Sequence, residues 1–139
     1  MSNACWPVAV FDLDGTVVNT IPLIIASYEH AVTSVLGVSP DPVEARSWIG
    51  QTLAETFYQR YPENGAELVS SYVAWNAANL ERLVQEYPGV DALLADLAAA
   101  GVKLGVATSK RRVSAENTLN FAGLRDQLAV TVAMEDTDF

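Results

Sequence analysis

The sequence predicts an α/β fold, a partial doubly wound, Rossmann-like parallel sheet carrying an inserted all-helical subdomain. Three observations predict it. Short apolar runs end abruptly in polar residues, as strands buried in a parallel sheet do. From residue 90 to 134 helical and strand-like segments alternate, the pattern of a doubly wound fold. Between residues 19 and 87 the alternation stops and only helical patterns follow one another.

The first run, 7–11, reads Pro-Val-Ala-Val-Phe and ends in Asp12. Its near-continuous apolar character predicts a strand buried on both faces. Helical patterns over 21–36, 51–61 and 66–87 make up the insert. Its ends are marked by an expected turn at Asn19-Thr20 and by Pro88-Gly89, where Pro restricts the residue before it and Gly loosens the chain. Two crossings so close together make a hinge. The segment 91–100 is rich in helix formers and Gly101 follows it as a stop. A second strand over 102–107 ends at Thr108-Ser109-Lys110, a helix covers 112–121, and a third strand over 128–134 ends at Glu135-Asp136. The domain reading is an incomplete α/β core from 1–18 and 88–139, with a helical cap at 19–87.

Composition narrows the function. The 139 residues are half hydrophobic, enough for one modest core. A net charge of −9 with eight Lys and Arg repels phosphate backbones and anionic lipid surfaces. Neither nucleic acid nor membrane is an expected partner. One cysteine, Cys5, forms no internal disulfide, and no apolar run spans a bilayer. These features, with no signal-peptide pattern, place the chain in the cytoplasm. Ser2-Asn3-Ala4 resembles an expression remnant and carries no weight.

The chemistry concentrates in Asp12-Leu13-Asp14-Gly15-Thr16. In open α/β sheets ligands bind beyond the carboxyl ends of the strands, so both carboxylates point into the expected crevice. One can attack phosphorus; the other can protonate the leaving group and later activate water. Two like charges at close range call for a cation, and Mg²⁺, which prefers oxygen ligands and substrate phosphate, suits Asp12 and Asp14. Gly15 permits the tight turn and Thr16 supports it. The plainer alternative, that both aspartates are strand-end turn formers, fits an isolated Asp-x-Asp better than one framed by a strand and Gly-Thr.

On these residues the chain resembles the haloacid dehalogenase superfamily, whose signature is Asp-x-Asp-Gly-Thr after the first strand. The resemblance implies that Asp12 is nucleophile and metal ligand, and that Asp14 is general acid/base and offers its carbonyl to the metal. Thr108 would hold the transferring phosphoryl group. Phosphate contacts are implied from Leu13, Asp14, Thr108, Ser109 and Lys110, the lysine in a secondary part because the family's charge-neutralising lysine lies further on. True dehalogenases of the superfamily lack an aspartate at the position of Asp14, so phosphoryl transfer is expected. Asn19-Thr20, Ile49-Gly50-Gln51-Thr52 and Leu104 to Lys110 are similar to the phosphoglycolate phosphatase and HPr-kinase-associated pyrophosphatase branch. There the insert is a cap, and Gly50, Gln51 and Thr52 would face the substrate.

Trp48, Phe57, Tyr72 and Trp75 read as packing residues of the insert, His30 as a packed or solvent-facing histidine, and Glu135, Asp136 and Asp138 as a solvated acidic tail. The family's Lys-Pro segment and acidic Gly-Asp strand do not occur before Phe139. The expectation is therefore an incomplete, weakly active or inactive fragment of a Mg²⁺-dependent phosphatase for a small phosphate ester or pyrophosphate. The first strand would form a bare apolar edge, inviting self-association. A noncatalytic remnant that binds phosphate and Mg²⁺ or self-associates is the alternative, and the reading frame after Phe139 discriminates the two. A response-regulator receiver also phosphorylates an aspartate, but the long helical insert after the first strand argues against it.

Overall fold

The computed structural model describes residues 6–137. Its described residues divide into two compact units. One comprises the chain up to Asn19 together with the chain from Gln85 onward; the other is Thr20–Val84.

The first unit is built on a three-stranded parallel sheet in the order β1-β4-β5, where β1 is Val8–Phe11, β4 is Lys103–Ala107 and β5 is Ala129–Val132. Val8 pairs with Lys103 and Phe11 with Val106, so β1 and β4 end level with one another. Between β4 and β5 the register shifts at Val106/Ala107, so that Ala107 pairs with Val132. Two helices, α5 (Val90–Ala99) and α6 (Arg112–Phe121), precede and follow β4. Leu94, Val102, Val106, Ala115, Leu119, Leu124 and Leu128 are buried and form the apolar interior of this unit. The α/β class expected from sequence is the one observed. One detail differs: β1 is not buried on both faces, because Val8 and Val10, alternate residues that share one face, are 51% and 56% exposed; among the described residues it is also an edge strand.

The chain leaves and re-enters this unit through a two-stranded antiparallel ribbon, β2 (Val18–Asn19) and β3 (Gln85–Glu86). Asn19 Nδ2 also donates to Gln85 Oε1 at 3.2 Å. The expected turn at Asn19-Thr20 is thus replaced by a strand that ends at Asn19. The strand-free stretch from 19 to 87 is corrected likewise, as Gln85 and Glu86 pair with β2 instead of extending a helix.

The second unit contains four helices: α1 (Ile21–Leu36), α2 (Pro42–Ser47), α3 (Leu53–Arg60) and α4 (Gly65–Leu83). Of these, α2 has no counterpart in the sequence reading. It begins where Asp41 accepts from the Val43 and Glu44 N–H groups and Pro42 stands in the first turn. Tyr28 lies at the centre of the apolar interior, with ring centroids of Trp48, Phe57 and Tyr72 at 5.1, 5.5 and 4.9 Å. Val32, Ala45 and Leu68 complete it. Trp48, Phe57 and Tyr72 are the packing residues expected. Trp75 is half-buried and stacks instead on exposed His30, at 5.2 Å and 18° between planes. A buried polar tie joins α1 to α4: Asn76 Nδ2 donates to Ser27 Oγ at 3.0 Å, and that hydroxyl donates to Leu23 O at 2.6 Å.

Candidate active site

The level ending of β1 and β4 decides where the polar residues fall. Asp12 follows β1 directly and Thr108 follows β4 directly, so both stand at the carboxyl ends of neighbouring parallel strands. After Asp12 the chain folds back at once. Leu13, its side chain fully buried, anchors the turn, and its carbonyl accepts from the N–H groups of Thr16, Val17 and Val18 at 3.2, 3.0 and 3.3 Å. Gly15 donates to Val18 O at 2.9 Å and has φ of +73°. A Cβ is disfavoured there, which explains the glycine. Thr16 is exposed at the tip.

Asp12 is exposed, and its Oδ1 accepts the Leu13 N–H at 2.8 Å, which fixes the carboxylate over the strand end. The Leu13 N–H is therefore directed at Asp12 itself. Asp14, half-buried, accepts from Lys110 Nζ at 2.8 Å, with side-chain exposures of 15% and 12%. Lys110 belongs to the loop between β4 and α6, and both its backbone groups are held. Its N–H donates to Thr108 Oγ1 at 3.1 Å, and its carbonyl accepts from Met134 N at 3.0 Å. Thr108, 9% exposed, donates its own N–H to Val132 O at 2.9 Å. Because Oγ1 serves as acceptor toward Lys110, the Thr108 hydroxyl proton is not used in that bond. Ser109 is half-buried between them.

The structure thus brings Asp12, Leu13, Asp14, Gly15, Thr16, Thr108, Ser109 and Lys110 to one end of the sheet. Gly50, Gln51 and Thr52 belong to the helical unit, where they have local structural work. Thr52 caps α3: its hydroxyl accepts from Glu55 N at 3.2 Å and donates to Glu55 Oε2 at 2.9 Å. Gln51 Oε1 accepts from Thr56 Oγ1 at 3.4 Å, and Gly50 has φ of +96°. Glu135 and Asp136 are not a free acidic tail. Glu135 accepts the Arg112 N–H at 2.9 Å, Asp136 binds the Arg112 guanidinium, and that guanidinium also donates to Val130 O at 2.8 Å. Asp138 lies outside the described residues. Sequence reading missed this clamp and the Lys110–Asp14 pair, neither of which has a local pattern.

Among the described residues no group of three or more His, Cys, Asp or Glu side chains is gathered as a metal cage. Two neighbouring carboxylates at a strand end nevertheless suit Mg²⁺, which takes one or two carboxylates and completes its shell with water and substrate phosphate. No helix among the described residues is long and apolar enough to cross a membrane.

Residues 9–139 match the family described as haloacid dehalogenase-like hydrolase. The chain belongs to that family. Curated relatives within it include the pyrophosphatase PpaX of Halalkalibacterium halodurans, 35% identical over 129 residues, and that of Bacillus cereus, 33% identical over the same length. Each match covers 93% of this chain and 60% of the relative, so the chain spans about three fifths of these relatives' length. Among solved structures, a predicted phosphatase from Clostridium acetobutylicum superimposes with a TM-score of 0.83 at 24% identity, over 96% of this chain and 64% of that one. At that identity the likeness speaks for the fold. Protein tyrosine kinase A of Mycobacterium tuberculosis gives 0.78 at 29% identity, over 96% and 62%. The haloacid dehalogenase-like fold is thus common to proteins whose names differ in activity, and function rests on the site.

Proposed function

We propose that this chain carries the nucleophile half of a Mg²⁺-dependent phosphohydrolase that acts on pyrophosphate or a small phosphate monoester, such as phosphoglycolate, in the cytoplasm. The observation that carries the reading is the placement of Asp12 and Thr108 at the ends of adjacent parallel strands, with a second carboxylate two residues after the first. In the first step the Asp12 carboxylate attacks phosphorus and the bond to the leaving oxygen breaks, with Asp14 donating a proton to that oxygen. In the second, Asp14 takes a proton from water, the water oxygen attacks the aspartyl-phosphate, and inorganic phosphate leaves while Asp12 is regenerated. Thr108, through its hydroxyl proton, Ser109 and the Asp14 backbone N–H hold the phosphoryl oxygens. Mg²⁺, held by the Asp12 carboxylate and the Asp14 carbonyl, would neutralise charge on the transferring group.

The helical unit is proposed as a cap that excludes water during transfer, with Gly50, Gln51 and Thr52 toward the substrate. Relatives named pyrophosphatase favour a phosphoanhydride over a phosphate ester. The bare edge of β1 is proposed to pair with a further strand, from the same protein or from a second copy.

The test is hydrolysis of pyrophosphate and phosphoglycolate with and without Mg²⁺, on this chain and on the chain extended through its downstream reading frame. Asp12→Asn keeps the shape and removes the nucleophile; it is expected to lower the rate by about 10³-fold or more. Asp14→Asn is expected to let phosphoenzyme form and accumulate. Full activity in Asp12→Asn would sink the mechanism.

A further inference from the structure

The closest ion pair at the site is also one the catalytic scheme above does not require. Lys110 Nζ lies 2.8 Å from Asp14 Oδ1, and both side chains are largely shielded, at 12% and 15% exposure. An exposed pair of this kind is usually worth little, because solvent screens it and two long side chains lose freedom. Here part of that loss has already been taken by the backbone. The Lys110 N–H is tied to the Thr108 hydroxyl and its carbonyl to Met134, so the loop presents the side chain from a fixed base. Reduced solvent also strengthens the attraction.

We propose that Lys110 is a positioning residue that acts through Asp14, holding that side chain in place and offsetting the negative charge it carries once its proton has gone to the leaving oxygen. This rests on the phosphohydrolase reading. It assigns the lysine a different task from that of a direct phosphate ligand. A lysine ammonium is a compact point charge on a flexible stem, and this one commits one of its three hydrogens to the Asp14 carboxylate at 2.8 Å. Thr108 then links the two parts of the site: its hydroxyl oxygen fixes the Lys110 backbone while its proton remains for the phosphoryl group.

Two experiments decide it. In the extended, pyrophosphate-hydrolysing protein, Lys110→Met is expected to lower kcat about 10- to 100-fold, less than the ~10²–10⁴ that a general acid/base supplies in full. KM for pyrophosphate should stay within about twofold. Lys110→Arg should recover part of the loss, and Lys110→Met added to Asp14→Asn should cost less than about twofold more. A rise in KM with kcat intact, or losses that multiply, would overturn the proposal in favour of direct phosphate binding. The second experiment needs no activity: urea unfolding of the 139-residue chain for Lys110→Met, Asp14→Asn and the double variant. The unfolding constants should fail to multiply by at least about threefold. Independent effects would overturn the pair by itself. Absence of all hydrolysis in the extended wild-type protein would instead overturn the phosphohydrolase reading, and with it any catalytic part for Lys110.

Discussion

Asp136 shows how a single exposed side chain ties the last strand of the sheet to a helix. Its carboxylate accepts the Ala133 N–H at 2.8 Å and binds the Arg112 guanidinium, which reaches on to Val130 O. These contacts hold the Asp136 carboxyl below its ordinary value of 3.8, the Ala133 N–H being the main cause and Arg112 adding to it. A carboxyl whose folded value is depressed contributes stability above its unfolded value and loses it as pH falls through the folded one. Asp136→Asn is therefore expected to be less stable than the wild type at neutral pH, with the gap closing once the pH drops below 3.8. Parallel urea titrations at pH 7 and pH 3 would check this, and a gap unchanged at pH 3 would count against the clamp. None of it was legible from sequence. Arg112 and Asp136 are 24 residues apart, and only the fold makes them neighbours. Asp12 and Thr108 were legible, because each directly closes an apolar run and the strand's end alone places it, and Asp14 was legible from its place two residues after Asp12.

At the scale of elements, legibility followed length and cap chemistry. Helices α1 and α6 appear where their patterns predict, since ten or more residues with one apolar face give a repeating signal. The six-residue α2 is too short to repeat, and its signal, Asp41 followed by Pro42, lies in the cap alone. The ribbon of β2 and β3 was illegible for another reason. Two residues show no alternation, and Gln85 and Glu86 prolong a helical composition; pairing with Val18 and Asn19, far away in sequence, decides their conformation. Cap chemistry also yields a measurable consequence in α3. Thr52 and Glu55 form a reciprocal capping box, so Thr52→Ala should destabilise the helical unit by about 1 kcal/mol. Urea unfolding followed by helical circular dichroism measures it. No change would mean that the box contributes nothing beyond the preceding turn.

For the molecule as a whole, the governing fact is the open side of the sheet. β1 pairs with β4 and, among the described residues, with nothing on its other side, while Val8 and Val10 are more than half exposed. Such an edge is a template for another strand. The 139-residue chain is therefore expected to self-associate, and Val10→Lys, which puts a charge on that strand, to shift it toward monomer. Light scattering on size-exclusion peaks distinguishes the outcomes, and a wild-type monomer at high concentration would contradict the expectation. The claim on which the functional account depends is that Asp12 becomes phosphorylated. The direct measurement is an acid quench of the extended protein during turnover of radiolabelled pyrophosphate with Mg²⁺, followed by borohydride reduction and mapping of the modified residue. The account predicts a hydroxylamine-labile label at Asp12 that is absent in Asp12→Asn. Turnover at the wild-type rate in Asp12→Asn, or a label on any other residue, would contradict it.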